Sequence, residues 1–151
     1  MKMKQESLKS NMKAKYIIGI DPGVNTGFAV WNREQKEFSL VTCDKIHNIM
    51  AMIKITLQNF GAEDIFVRLE DARLRTWFGN SGREQLQGAG SIKRDCGIWQ
   101  DFLHDLNLQF ELVPPKRNKT KVSAAWFKIV AKWVGRTNNH GRDAAMLVFN
   151  F

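Results

Sequence analysis

Four side chains in this 151-residue chain have the types and positions to do chemistry together: Asp21, Glu70, His140 and Asp143. Asp21 ends the apolar run "YIIGID" and is followed at once by Pro-Gly, and Glu70 ends a second such run, "DIFVRLE". A helix between two such strands, crossing over right-handed, sets them parallel and adjacent. Their carboxylates then face each other at the carboxyl edge of the sheet, where open α/β sheets bind ligands. Like charges that close repel unless a cation neutralises them, and hard carboxylate oxygens suit Mg²⁺. His140 and Asp143 are three residues apart, so a helix presents both on one face, and the apolar "AAMLVF" that follows can pack that helix on the sheet. Asp143 then closes a metal cluster with Asp21 and Glu70. His140 is a ligand, a general base for an attacking water, or a helper of the leaving group. Two Mg²⁺ ions roughly 3.5–4 Å apart would clamp the attacking and leaving oxygens of a phosphodiester.

Taken singly, each residue also has an ordinary reading. Asp21 before Pro-Gly can simply open a turn, and Glu70 can pair with Arg68 or Arg73. His140 can serve a helix cap and Asp143 the first turn of that helix. The case for a site is their conjunction at one edge, which depends on the elements between them. "TGFAVWN" and "FSLVTC" follow "YIIGID" across short turns, giving an antiparallel β-meander. Residues 45–60 carry Ile46, Ile49, Met50, Ile53, Leu57 and Phe60 at helical spacing, with Gly61 to stop them. After the strand ending at Glu70 comes an irregular crossing, "DARLRTWFGNSG", then a long helix from Arg83 to about Leu106. "LQFELV" is a fifth strand, stopped by Pro114-Pro115. "KVSAAWFKIVAKWV" predicts a helix with Trp126, Ile129, Val130 and Trp133 on one side. "TNNH" offers an N-cap to a last helix running through "HGRDAAMLVFNF" to the C-terminus. The expected fold is α/β: a mixed five-stranded sheet flanked by helices.

Charge is distributed unevenly. Residues 1–15 hold five lysines and one acid and read as a flexible basic arm, leaving 16–151 as one folded domain. Residues 116–142 hold eight basic side chains and no acid, whereas the body between is mildly acidic. Such concentrated positive charge suits a nucleic-acid backbone, with solubility as the plainer alternative. No apolar run is long enough for a membrane span, and the basic arm lacks the apolar stretch of a signal peptide. Cys43 and Cys96 have no metal-type spacing and imply no disulfide framework, which points to a reducing cytoplasm.

"IGIDPGVNTGFAVW", the strand-end acid of "FVRLE" and "HGRDAAMLV" together resemble the RuvC family of Holliday junction resolvases, within the RNase H-like nucleases. The likeness follows residues 16–151 in element order. It implies an acidic metal site of Asp21, Glu70 and Asp143 with His140 in the remaining position, where the family carries either an acid or a histidine. It further implies dependence on Mg²⁺ or Mn²⁺, a homodimer, and paired nicks in four-way DNA junctions, with 5′-phosphate and 3′-hydroxyl ends. Helix 83–106 sits where such resolvases place their dimer helix. Gly88, Gly90 and Gly97 each cost around 1 kcal/mol relative to alanine in a lone helix, which close approach of another backbone, or packing against the chain's own sheet, would justify. Trp77 and Phe78 are candidates to stack on junction bases or to cap the core. Lys116, Arg117, Lys119 and Lys121 are placed to hold phosphates, and Arg73 and Arg75 to extend that surface.

Four other readings compete. A broader branched-DNA nuclease shares the same site, and a non-catalytic junction-binding protein would keep costly clustered acids for no purpose. A YqgF-type RNase of ribosomal RNA processing shares the opening motif, with Glu70 as the discriminating feature. ATP-handling actin-like proteins also place an acidic loop after a strand, but need a second such domain.

Overall fold

A computed structural model describes residues 13–75, 83–115 and 121–151, with the side chains of 83–89 excepted. Strands β1 (Tyr16–Asp21), β2 (Asn25–Asn32) and β3 (Glu37–Lys45) form the expected meander. Helix α1 (Ile46–Phe60) then crosses to β4 (Ile65–Glu70), which pairs parallel with β1, from Tyr16 beside Ile65 to Ile20 beside Leu69. Helix α2 (Arg83–Asp105) crosses in the same way to β5 (Gln109–Val113), parallel to β4. The sheet is therefore mixed and five-stranded, ordered β3-β2-β1-β4-β5. Helices α3 (Ala124–Val130) and α4 (Asn139–Met146) follow. No described helix is long and apolar enough to cross a membrane.

The central strands are apolar on both faces because both are covered. Ile18 and Ile20 of β1, Phe28 and Val30 of β2, and Val67 and Leu69 of β4 pack with Ile49 and Ile53 of α1 and Trp99 and Leu103 of α2. The alternating set, Ile17, Ala29, Trp31 and Phe66, packs with Phe127 and Ala131 and with Ala144, Ala145 and Val148. Strand side chains alternate between faces. Asp21 thus shares the face of Ile17 and Gly19, and Glu70 shares that of Phe66 and Arg68. Both acids lie on the side covered by α4.

Helix α4 lies against the sheet backbone itself. A Cβ built on Gly19 would stand 2.1 Å from the Ala144 carbonyl oxygen, and one on Gly27 1.9 Å from that of His140. Two strand glycines and the small Ala144 and Ala145 let the helix approach where ordinary side chains would hold it off.

The last two helices are shorter than their apolar patterns predict. In place of a helix over 121–134, Ser123 caps α3, its Oγ accepting from the Trp126 amide at 3.1 Å, and the helix ends at Ala131. Lys132, at φ 54°, stops it in the left-handed region. Only Phe127 and Ala131 turn into the core, so Trp126, Ile129 and Val130 face outward. Similarly, α4 ends at Met146 and gives way to turns, with Asn150 at φ 57°, instead of running to the C-terminus. Asn138 caps its start as expected, Oδ1 accepting from the Gly141 amide at 2.8 Å.

Gly27→Ala should destabilise the fold by about 1–3 kcal/mol, because backbone must yield to the new methyl. Gly90, in α2 with nothing within 4 Å of a built Cβ, is the control. Gly90→Ala should gain up to about 1 kcal/mol from helix propensity. Urea midpoints of the two variants read the difference directly. Equal midpoints would mean that the α4 contact relaxes without cost.

Candidate active site

The turn after Asp21 is closed by the buried Thr26, whose hydroxyl donates to the Gly23 carbonyl at 2.8 Å. This fixes the short connection over residues 22–24 and with it the end of β1. Glu70 lies one step beyond the Ile20–Leu69 pair, so it terminates the neighbouring parallel strand at the same level. Its own backbone is fixed from two sides. The next amide, Asp71, donates to Val113 of β5 at 2.8 Å, and the buried Cys96 thiol of α2 reaches the Glu70 carbonyl at 3.8 Å. Burial pushes the Cys96 thiol up to about 11, so it sits there as a protonated donor. Cys43 and Cys96 are both free thiols.

Helix α4 brings the other two residues. His140 Nδ1 lies 3.3 Å from Asp21 Oδ2, with the histidine half-exposed and the aspartate largely covered. Asp143, one turn further, is buried against the sheet. The fold thus puts Asp21, Glu70, His140 and Asp143 on one side of the sheet, and Asp21 and His140 in contact. Among the described residues no three His, Cys, Asp or Glu side chains are gathered tightly enough to hold a metal ion. The donor set nevertheless fits the chemistry of Mg²⁺, which takes one or two carboxylates and fills its remaining positions with water and phosphate oxygens.

Two arginines that play no part in the sequence-based site hold α4 in place. Buried Arg142 donates to Val122 O at 3.0 Å, Thr137 O at 2.9 Å, Thr137 Oγ1 at 2.8 Å and Asn139 Oδ1 at 2.7 Å. It laces the segment before the helix to the helix's first turn. At the other end Arg68 donates to the Leu147 carbonyl, pairs with Glu111 at 2.6 Å and stacks its guanidinium 4.0 Å from the Phe151 ring. Arg68 is two residues before Glu70 on the same face, so one strand both carries an acid and clamps the helix bearing Asp143. A tract rich in Thr and Asn before "HGRD" is the sequence signal for Arg142. Arg68 had none, because its partners are distant in the chain.

Of the expected nucleic-acid contacts, Trp77, Phe78, Lys116, Arg117 and Lys119 lie outside the described residues, as do residues 1–12 of the basic arm. Lys121 and Arg75 are exposed. Arg73 directs its guanidinium inward, forking onto Asp71 with Nε 2.9 Å from Oδ1 and Nη2 2.6 Å from Oδ2, and reaching Gln100 at 2.7 Å. Burial alone would raise the Asp71 carboxyl, but the Arg73 side-chain and backbone hydrogen bonds outweigh it and hold it below the usual carboxylate range. The fork ties the short 3₁₀ turn Ala72–Leu74 to α2 directly behind Glu70.

Because the Asp71 pKa is lowered on folding, its contribution is complete above the unfolded value near 4 and is lost as pH falls through the folded one. Arg73→Ala should therefore cost about 2 kcal/mol at pH 7, discounted for the one-third exposure of the arginine. The gap to wild type should narrow below pH 4 in denaturant titrations. A pH-independent gap would assign the loss to packing instead. Searched against protein-family models and against curated proteins, the chain matches none.

Proposed function

We propose that this chain is a metal-dependent, structure-selective endonuclease of the RuvC type, cleaving four-way DNA junctions. The observation that carries the reading is the meeting of strand-end Asp21 with His140 of the terminal helix at 3.3 Å, on the face that Glu70 and Asp143 share. Acidic ends of adjacent parallel strands, joined by a helix that brings a His and an Asp, form a rigid mount for phosphodiester hydrolysis.

In this reading Asp21, Glu70 and Asp143 hold Mg²⁺ or Mn²⁺, which when bound lowers the pKa of water and stabilises charge on the phosphate. His140 orients or deprotonates the attacking water through Nε2, while Asp21 at Nδ1 fixes the ring and its tautomer. The half-exposed imidazole is open to substrate, and the covered carboxylate keeps its orientation. Arg75 and Lys121 contribute to the phosphate surface. Two copies pair through α2, whose described side chains include the exposed Ile92 and Ile98, so that two sites act on opposite strands of one junction.

The test is cleavage of a labelled synthetic four-way junction beside linear duplex, flap and structured RNA, with Mg²⁺ or EDTA. Asp21→Asn should reduce cleavage to background while leaving junction binding and thermal stability near wild type. His140→Ala should lower the rate by about 10²–10⁴-fold. Substantial cleavage by Asp21→Asn would overturn the site assignment. Cutting confined to RNA would favour a YqgF-type activity, and equal cutting of every branch a general branched-DNA nuclease.

A further inference from the structure

The outward face of α3 is apolar without a covering element among the described residues. Trp126, Ile129 and Val130 stand at i, i+3 and i+4, so they form one continuous ridge. They are 42%, 78% and 39% exposed, and Val134 just beyond is 87% exposed. Exposed large apolar residues grouped on one short helix differ from the scattered ones every surface carries. The helix is nonetheless built to present them. Ser123 caps its start, Lys132 ends it, and Phe127 and Ala131 anchor its inner side.

Charge narrows the occupant. Lys128, Lys132 and Arg136 are exposed around this helix, and no acid occurs from residue 116 to residue 142. A second copy of the same face would bring like charges together, which disfavours self-pairing. The chain's own first 15 residues, five lysines against one acid, are no better a complement. Nucleic acid satisfies the charge but not the ridge. Bases stack on aromatic faces, and here two of the three ridge residues, with Val134, are aliphatic. An acidic segment carrying its own apolar side chains meets both demands.

We propose that α3 is a docking site for an acidic, amphipathic peptide segment of another protein, its apolar residues seated on Trp126, Ile129 and Val130 and its carboxylates facing Lys128, Lys132 and Arg136. The ridge is small, so the contact belongs to the weak, transient class of interfaces. It is independent of the nuclease reading, since none of these residues belongs to that site.

The probe is a fluorescein-labelled twelve-residue peptide with five Asp or Glu and Leu, Phe and Leu at i, i+3 and i+4. One control replaces the acids with lysine and another replaces the apolar residues with serine. Anisotropy titrations should show saturable binding to the full chain, weakened at least tenfold in both controls. Ile129→Glu, at a largely exposed position that leaves the fold intact, should weaken it at least tenfold as well, while junction cleavage stays at the wild-type rate. Absence of saturable binding, or equal binding of the serine control, would overturn the proposal. So would tighter binding of oligothymidylate that depends on Ile129, or loss of junction cleavage in Ile129→Glu, either of which would assign the ridge to nucleic acid.

Discussion

Everything at the candidate site depends on how closely α4 can approach the sheet. Gly19 in β1 and Gly27 in β2 leave room for two carbonyl oxygens of the helix to stand where Cβ atoms would otherwise be. Strand interiors seldom keep glycine, since it weakens the strand and buries no side chain. Here two adjacent strands keep one each, on the same face, at the level where the helix crosses. The result is a helix whose first turn stands over the end of β1, where His140 meets a carboxylate 119 residues earlier in the chain. Had the strands carried valine at these positions, α4 would rest on side chains, farther out.

Close approach alone does not set the helix's position along the sheet. Arg142 and Arg68 do that, one at each end, and both use backbone carbonyls as acceptors. A guanidinium presents five donors in a fixed fork, so a single side chain can index several segments at once. Arg142 ties the chain before α3 and the chain before α4 to the first turn of α4. Arg68 collects a carbonyl left unpaired by the helix ladder at the other end and carries it to the strand of Glu70. The acids of the two parallel strands and the helix that faces them are thus parts of one rigid unit.

The strands, their pairing and α1 were legible because each rests on local pattern: apolar runs between turn residues, helical spacing, and Gly61 where the helix stops. The Asn138 cap was legible for the same reason. The length of α3 was not. Its apolar residues suit a longer helix packed on one side, yet Trp126, Ile129 and Val130 point away from the core, and a lysine adopts the left-handed turn usually left to glycine. Periodicity reports that a helix is amphipathic without saying which apolar side is inward. The four candidate residues were legible as types at strand and helix ends, and the common face of Asp21 and Glu70 follows from strand alternation. The Asp71–Arg73 fork was hidden in the sequence. Arginine beside a run of aromatics reads as a surface for polyanions, and nothing local says that its neighbour Asp71 is buried.

That fork bears on how Glu70 is used. Two arginines stand near the end of β4, and both are engaged by other groups. Arg68 is engaged with Glu111 and the end of α4, and Arg73 with Asp71 and Gln100. Asp71, one residue past Glu70, points to the opposite side and takes the arginine there, as alternation along an extended chain requires. Two consecutive carboxylates therefore have different fates. The inner one is a structural ion pair that anchors the crossing to α2, and the outer one is directed to the face shared with Asp21, His140 and Asp143. A chain that needed only a salt bridge at this strand end would have had it with one acid. The second adds a carboxylate to the edge that carries Asp21, and it is this pairing of strand-end acids that the proposed metal-dependent reading builds on.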